Sequence, residues 1–128
     1  MYGYFCKYNQ STMYIVYGIP NCDTIKKSVA WLQKHRIPYA FHDYKKEGIA
    51  TAKLKTWSKQ VGWETILNKK SSTWRELGEA RQASINNEKA AIAVMAENNS
   101  IIKRPVIEKD SKVVAVGFDE AKYEKLFT

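Results

Sequence analysis

The stretch that most constrains this chain is residues 13–36, MYIVYGIPNCDTIKKSVAWLQKHR. Residues 13–19 are apolar, aromatic and β-branched with no interior charge, which predicts a buried strand. Gly18, Ile19, Pro20 and Asn21 are turn punctuation. From Thr24 the period changes: Ile25, Val29 and Leu32 recur at helical spacing, with Lys26, Lys27, Gln33 and Lys34 between them. Cys22 therefore stands where a strand hands over to a helix. Free backbone N–H groups and the positive end of the helix dipole favour an anion there and push a thiol toward thiolate. Lys26 and Lys27 occupy the first turns, where the dipole disfavours cations, so their placement implies something negative at the same end. Asp23 acts the other way, since a neighbouring carboxylate raises a thiol pKa. A buried structural cysteine at a tight turn is the plain alternative. The turn and the lysines favour a reactive thiol.

Beyond the first helix, Ile37 and Pro38 break the pattern and residues 39–44 alternate as a second strand. Residues 45–48 read as a turn. Leu54, Trp57 and Val61 mark an amphipathic helix over residues 50–61, broken at Gly62. Residues 63–67 and 74–77 read as short helical pieces around a polar, basic loop at 68–73. Residues 87–96 form a helix with Ile92, Val94 and Met95 inward. Residues 101–108 read as a strand, Asp110 and Ser111 as a hairpin turn, residues 112–116 as the partner strand, and 119–127 as a closing helix capped by Asp119. The first two strands, joined through a helix, are expected to run parallel, with the final hairpin antiparallel on the same sheet. A cysteine after strand one and a proline in a late strand resemble the layout of the thioredoxin architecture.

The 128 residues suit one domain, with a disordered leader expected at residues 1–12 and a single domain at 13–128. The leader has neither the basic nor the apolar region of a secretory signal, and no apolar run approaches a membrane span. With two cysteines, Cys6 and Cys22, a disulfide scaffold is not expected and a reducing cytoplasm is the default. The formal charge of +8 comes from 21 Lys and Arg against 13 Asp and Glu. These basic residues are spread along the chain without a base-reading motif, which argues against nucleic acid and leaves acidic proteins or small anions as partners. His35 and His42 have no metal spacing, so no metal is inferred. The four tryptophans read as core. The protein is expected to be monomeric.

Several motifs in order resemble the arsenate reductase/Spx family, and most closely its YffB-like branch. They are GIPNCDTIKK at 18–27, DYKKEG at 43–48, Gly62-Trp63 with LNKK at 67–70 and Trp74, IKRPV at 102–106, and VGFD at 116–119. The resemblance implies a thioredoxin-like α/β fold with a mixed four-stranded sheet and a helical insertion between strands two and three. It also implies one nucleophilic cysteine, Cys22, facing a cis proline, Pro105, beside which a peptide-like substrate pairs with Arg104. Arsenate-reducing members cradle the oxyanion with three arginines. Here only Arg104 matches; Asn68, Lys69 and Lys70 stand near the first position and Phe118 at the third. Lysine cannot supply arginine's planar fork. With Ile25 three residues after Cys22, a Cys-x-x-Cys disulfide is excluded. A reductive cycle then needs an outside thiol, and glutathione is the natural co-substrate, with no bound cofactor. Its candidate contacts are Asn21, Lys26, Lys27, Lys69, Lys70, Arg104 and Pro105. The resulting expectation is a glutathione-dependent thiol reductase. The alternatives are a Spx-like regulator docking RNA polymerase through a basic surface, and a true arsenate reductase.

Overall fold

The computed structural model describes residues 13–127, so the leader expected at residues 1–12 lies outside the described residues. The described residues form two compact units, one from residues 13–43 and 104–127, the other from 44–103.

The first unit carries a four-stranded mixed sheet in the order β2-β1-β3-β4. Its strands are β1 (Tyr14–Gly18), β2 (Tyr39–Asp43), β3 (Val106–Lys109) and β4 (Lys112–Val116). β1 and β2 pair in parallel, with Tyr17 opposite His42. β1 and β3 are antiparallel, with Tyr17 opposite Val106, and β3 and β4 close an antiparallel hairpin. Asp110 and Ser111 turn that hairpin at φ 54° and 64°, the left-handed pair that a tight two-residue hairpin needs. Two helices belong to this unit, α1 (Asp23–Lys34) and α8 (Glu120–Phe127). Val16 and Ile107 meet in register and share their face with Trp31, Leu32, Tyr39 and Tyr123, which are all buried. Asp119 accepts from the Lys122 N–H, capping α8.

Tyr123 ties this core together: its hydroxyl lies 2.8 Å from Ser28 Oγ and donates to the Gly117 carbonyl at 2.9 Å. Burial pushes its ionisation up to about 12, against the opposing pull of the Ser28 bond. An unfolded tyrosine ionises near pH ~10. The raised folded value therefore contributes stability that is complete below pH ~10 and is lost as pH climbs toward the folded value. Tyr123→Phe is expected to remove this part of the alkaline loss, about 1 kcal/mol between pH ~9 and ~11. Urea midpoints of both proteins at the two pH values check it.

The second unit is helical: α2 (Tyr44–Glu47), α3 (Thr51–Val61), α4 (Trp63–Ile66), α5 (Ser72–Glu76), α6 (Glu79–Ser84) and α7 (Glu88–Glu97). It fills the interval between β2 and β3, as the expected insertion does. Leu54, Trp57, Ile66, Met95, Ile101 and Ile102 form its interior with 0% exposure. Two side-chain caps organise it: Ser71 Oγ accepts from the Trp74 N–H at 3.1 Å, and Asn87 Oδ1 from the Ala90 N–H at 2.9 Å.

Three sequence expectations are corrected here. Residues 45–48 are not a simple turn: buried Tyr44 opens a helical turn closed by the Gly48 N–H on the Tyr44 carbonyl at 2.8 Å. The late strand does not start at residue 101. Asn99–Ile101 is a 3-10 turn, Ile102 makes an isolated bridge to Leu67, and the strand begins only at Val106. Pro105 has no N–H to give a ladder, so pairing starts after it. α6 was not foreseen because none of its residues is buried, which leaves no apolar stripe to read. Of the tryptophans, Trp31, Trp57 and Trp74 are buried, but Trp63 is only partly so.

Candidate functional site

β1 ends at Gly18, and Ile19, Pro20 and Asn21 carry the chain into α1. A Cβ on Gly18 would collide with the Ile25 side chain, which is 2% exposed and would have to repack inside the core. Gly18 thus lets the first turn of α1 sit against the strand end. Gly18→Ala is expected to cost about 1–3 kcal/mol through overpacking and to slow modification of the neighbouring thiol by displacing that turn. Thermal melts and iodoacetamide rates on one preparation check both halves.

Cys22 is the N-cap residue of α1, with extended backbone at φ −122° and ψ 129°. It is partly exposed and is the one free cysteine among the described residues. Its side chain makes no capping hydrogen bond of ordinary geometry. The N–H groups of the first turn nonetheless act on the sulfur. Burial opposes ionisation, but the backbone N–H groups of Ile25 and Thr24, together with the charge and hydrogen bond of the Arg104 guanidinium, outweigh it. The thiol is therefore held below its ordinary value. A helix end and an arginine from the segment before β3 both favour the ionised form of the sulfur.

Arg104 is partly exposed and immediately precedes Pro105, which is buried. The Arg104–Pro105 peptide bond is cis. The Pro105 carbonyl accepts from the Gly117 N–H at 2.8 Å, tying this turn to the end of β4. Asn21, Lys26 and Lys27 lie on α1 or its approach, all exposed. Neither Lys26 nor Asp23 is among the groups that move the Cys22 thiol; the cation that does so is Arg104. The side-chain direction of a helical lysine depends on the turn it occupies, and spacing alone did not reveal that the cation acting on the sulfur comes from the segment before β3.

Lys69 and Lys70 belong to the helical unit. Lys69 Nζ sits 6.0 Å from the Trp63 ring centre and 5.7 Å from that of Trp74, a cation held between two aromatic faces. The Lys70 N–H donates to Asn68 Oδ1 at 3.0 Å. Phe118 packs edge-on against Tyr123 at 5.0 Å, as a core residue does. Sequence reading also passed over Tyr17 and Glu108. Glu108 is 1% exposed, and Tyr17 donates to its carboxylate at 3.0 Å. Burial, then the charge and hydrogen bond of Glu108, push Tyr17 ionisation well above the ordinary tyrosine range. The only signal was an acidic residue inside an apolar strand. Among the described residues no cluster of His, Cys, Asp and Glu is arranged to hold a metal. No helix among them is long and apolar enough to cross a membrane.

A mixed sheet in this order, with Cys22 at the N-terminus of the helix after β1, defines a thioredoxin-like fold. The chain belongs to the ArsC family, whose model matches residues 17–126. It is 43% identical over 115 residues to an uncharacterized protein of Haemophilus influenzae, a match covering 90% of this chain and 99% of that one. It is 28% identical over 108 residues to the global transcriptional regulator Spx 1 of Lactococcus lactis, covering 82% and 81%. Among solved structures, the YffB protein superposes with a TM-score of 0.84 at 41% identity over 91% of this chain and all (100%) of that one. An arsenate reductase-related protein from Brucella melitensis superposes at 0.74 with 42% identity, covering 94% and 99%.

Proposed function

We propose that this protein is a glutathione-dependent thiol reductase that works through Cys22. The observation that carries the reading is the sulfur itself, partly exposed and held toward thiolate by two main-chain N–H groups and Arg104. In the first step the Cys22 thiolate attacks the glutathione sulfur of a mixed disulfide. The S–S bond breaks, the substrate leaves as a thiolate and takes a proton from water, and Cys22 carries glutathione. In the second, the thiolate of another glutathione attacks the glutathione sulfur of that adduct. Oxidised glutathione leaves and the Cys22 thiolate returns. In this reading the resolving thiol is that second glutathione rather than another cysteine of the chain. In this reading Arg104, Lys26 and Lys27 meet glutathione carboxylates, and Asn21 and Pro105 border the peptide-like ligand. Lys69 and Lys70 are further candidates, with Lys69 steadied by its two tryptophans.

Arsenate reduction is expected to be weak. An oxyanion gains most from arginine forks, and Arg104 is the one arginine at the expected positions, while Phe118 is spent in the core. The Spx-named relatives and the charge of +8 favour a second reading, a regulator that docks a partner without catalysis. Turnover of the mixed disulfide of glutathione and 2-mercaptoethanol separates the readings. The reductase reading expects turnover that Cys22→Ser abolishes, with amide shifts on glutathione addition around Cys22, Lys26 and Arg104. Rapid arsenate turnover without such shifts, or glutathione turnover that survives Cys22→Ser, overturns it.

A further inference from the structure

The helical unit carries a feature that thiol chemistry does not use. α3 and α7 pack side by side and leave between them an open groove of roughly 560 Å³ lined by Thr51, Lys55, Lys59, Glu88, Lys89, Ile92 and Ala93. Thr51, Lys55 and Lys59 follow one another four residues apart, so they form a single stripe along α3 about two turns long. Lys89 faces the groove from α7. Ile92 is 5% exposed and supplies a floor, with the exposed Ala93 beside it. Lys55, Lys59 and Lys89 make no ion pair among the described residues, and Glu88 is the one acid in the lining. Three uncompensated cations around an apolar strip match one kind of ligand better than a small anion. A small anion would use the charge and leave the strip uncovered.

We infer that this groove docks an acidic amphipathic helix of a partner protein. Carboxylates four residues apart on the incoming helix match the Lys55–Lys59 spacing, a third meets Lys89, and apolar side chains between them cover Ala93 and the lysine stems. Opposite charge sets the register and speeds encounter, and Ala93 with the methylene stems of the lysines supplies the contact area. The site lies within residues 51–93 and does not include Cys22, so it stands or falls apart from the reductase reading.

The test uses the full chain and a synthetic helical peptide of about 15 residues. Its glutamates stand at i, i+4 and i+8, with leucines at i+3 and i+7 on the same face. Amide shifts are expected to concentrate in residues 51–59 and 88–93, and to shrink as salt is raised. A peptide with glutamine in place of glutamate is expected to bind about tenfold more weakly, as is the protein with Lys55→Glu, Lys59→Glu and Lys89→Glu together. Ala93→Glu, which leaves the lysines in place, is expected to weaken binding as well, while Cys22→Ser leaves it unchanged. Circular dichroism melts confirm that each variant folds. Four results overturn the inference: no shifts at millimolar peptide, shifts centred elsewhere, equal binding of the glutamine peptide, or saturation of the same amides by polyphosphate or an oligonucleotide but not by the peptide. Shifts that appear on concentrating the protein alone would assign the groove to a second copy and overturn it too.

Discussion

Arg104→Ala is expected to raise the titration midpoint of the Cys22 thiol and to lower turnover of a glutathione mixed disulfide by about one order of magnitude. Arg104 contributes both a charge and a hydrogen bond to the sulfur. A hydrogen bond to a charged group contributes about 1.5–3 kcal/mol, and partial exposure of the pair places the effect near the lower end. The sign follows from the chemistry: losing a cation beside an anion makes the neutral thiol easier to keep, so ionisation moves to higher pH. Iodoacetamide rates from acid to alkaline pH report the midpoint directly. Arg104→Lys should fall between the two, since it keeps a charge but loses the planar fork. An unchanged midpoint in Arg104→Ala would remove the arginine from the site. Lys26→Ala is the contrasting control, with little expected change in the midpoint.

The second large effect is on stability. Trp31→Ala is expected to destabilise the protein by about 3–5 kcal/mol, which for a chain of this size lowers the melting temperature by about 10 °C or more. Trp31 is 4% exposed, meets Tyr123 edge-on at 5.4 Å and Phe127 at 5.8 Å, and stacks on His35 at 3.8 Å. Its indole N–H is buried without a partner. That orphaned donor has a cost which phenylalanine does not carry. Trp31→Phe is therefore expected to lose far less than Trp31→Ala, because the missing area is partly offset by removal of the unsatisfied N–H. Differential scanning calorimetry of the two variants decides it. Equal losses would mean that the N–H is satisfied by water.

The parts of the fold legible in the sequence were those decided by short-range patterns. The switch from a β-branched run to helical spacing at residues 13–36 identified β1, α1 and the cysteine between them. Asp110 and Ser111 announced their hairpin because a two-residue turn demands left-handed backbone, which aspartate tolerates. What stayed hidden depended on tertiary placement. The start of β3 moved to Val106 because a proline without an N–H stands before it, while Ile101 and Ile102 are buried for another reason, in the interior of the helical unit. The resemblance set Arg104 beside Cys22; what spacing could not show is that Arg104, brought there by the pairing of β1 with β3, rather than Lys26, is the cation acting on the thiol. Lys26 had the right helical address and the wrong surroundings. Lys69 read as a candidate ligand contact or a solvated loop cation, and the pattern did not show that Trp63 and Trp74, on either side of it in sequence, both meet its ammonium.

The placement of Cys22 at the head of α1 has a consequence for how such a protein diversifies. Much of what tunes the sulfur comes from peptide groups of residues 24 and 25, which every amino acid except proline supplies. The pull toward the ionised sulfur is thus carried largely by atoms that mutation does not alter, whereas the side chains of Asn21, Lys26 and Lys27 are exposed and free to change. The side chains around the sulfur can drift across generations while its ionisation stays below the ordinary thiol value. Relatives of one ancestry can accordingly part ways in those surroundings without first losing the backbone that tunes the sulfur.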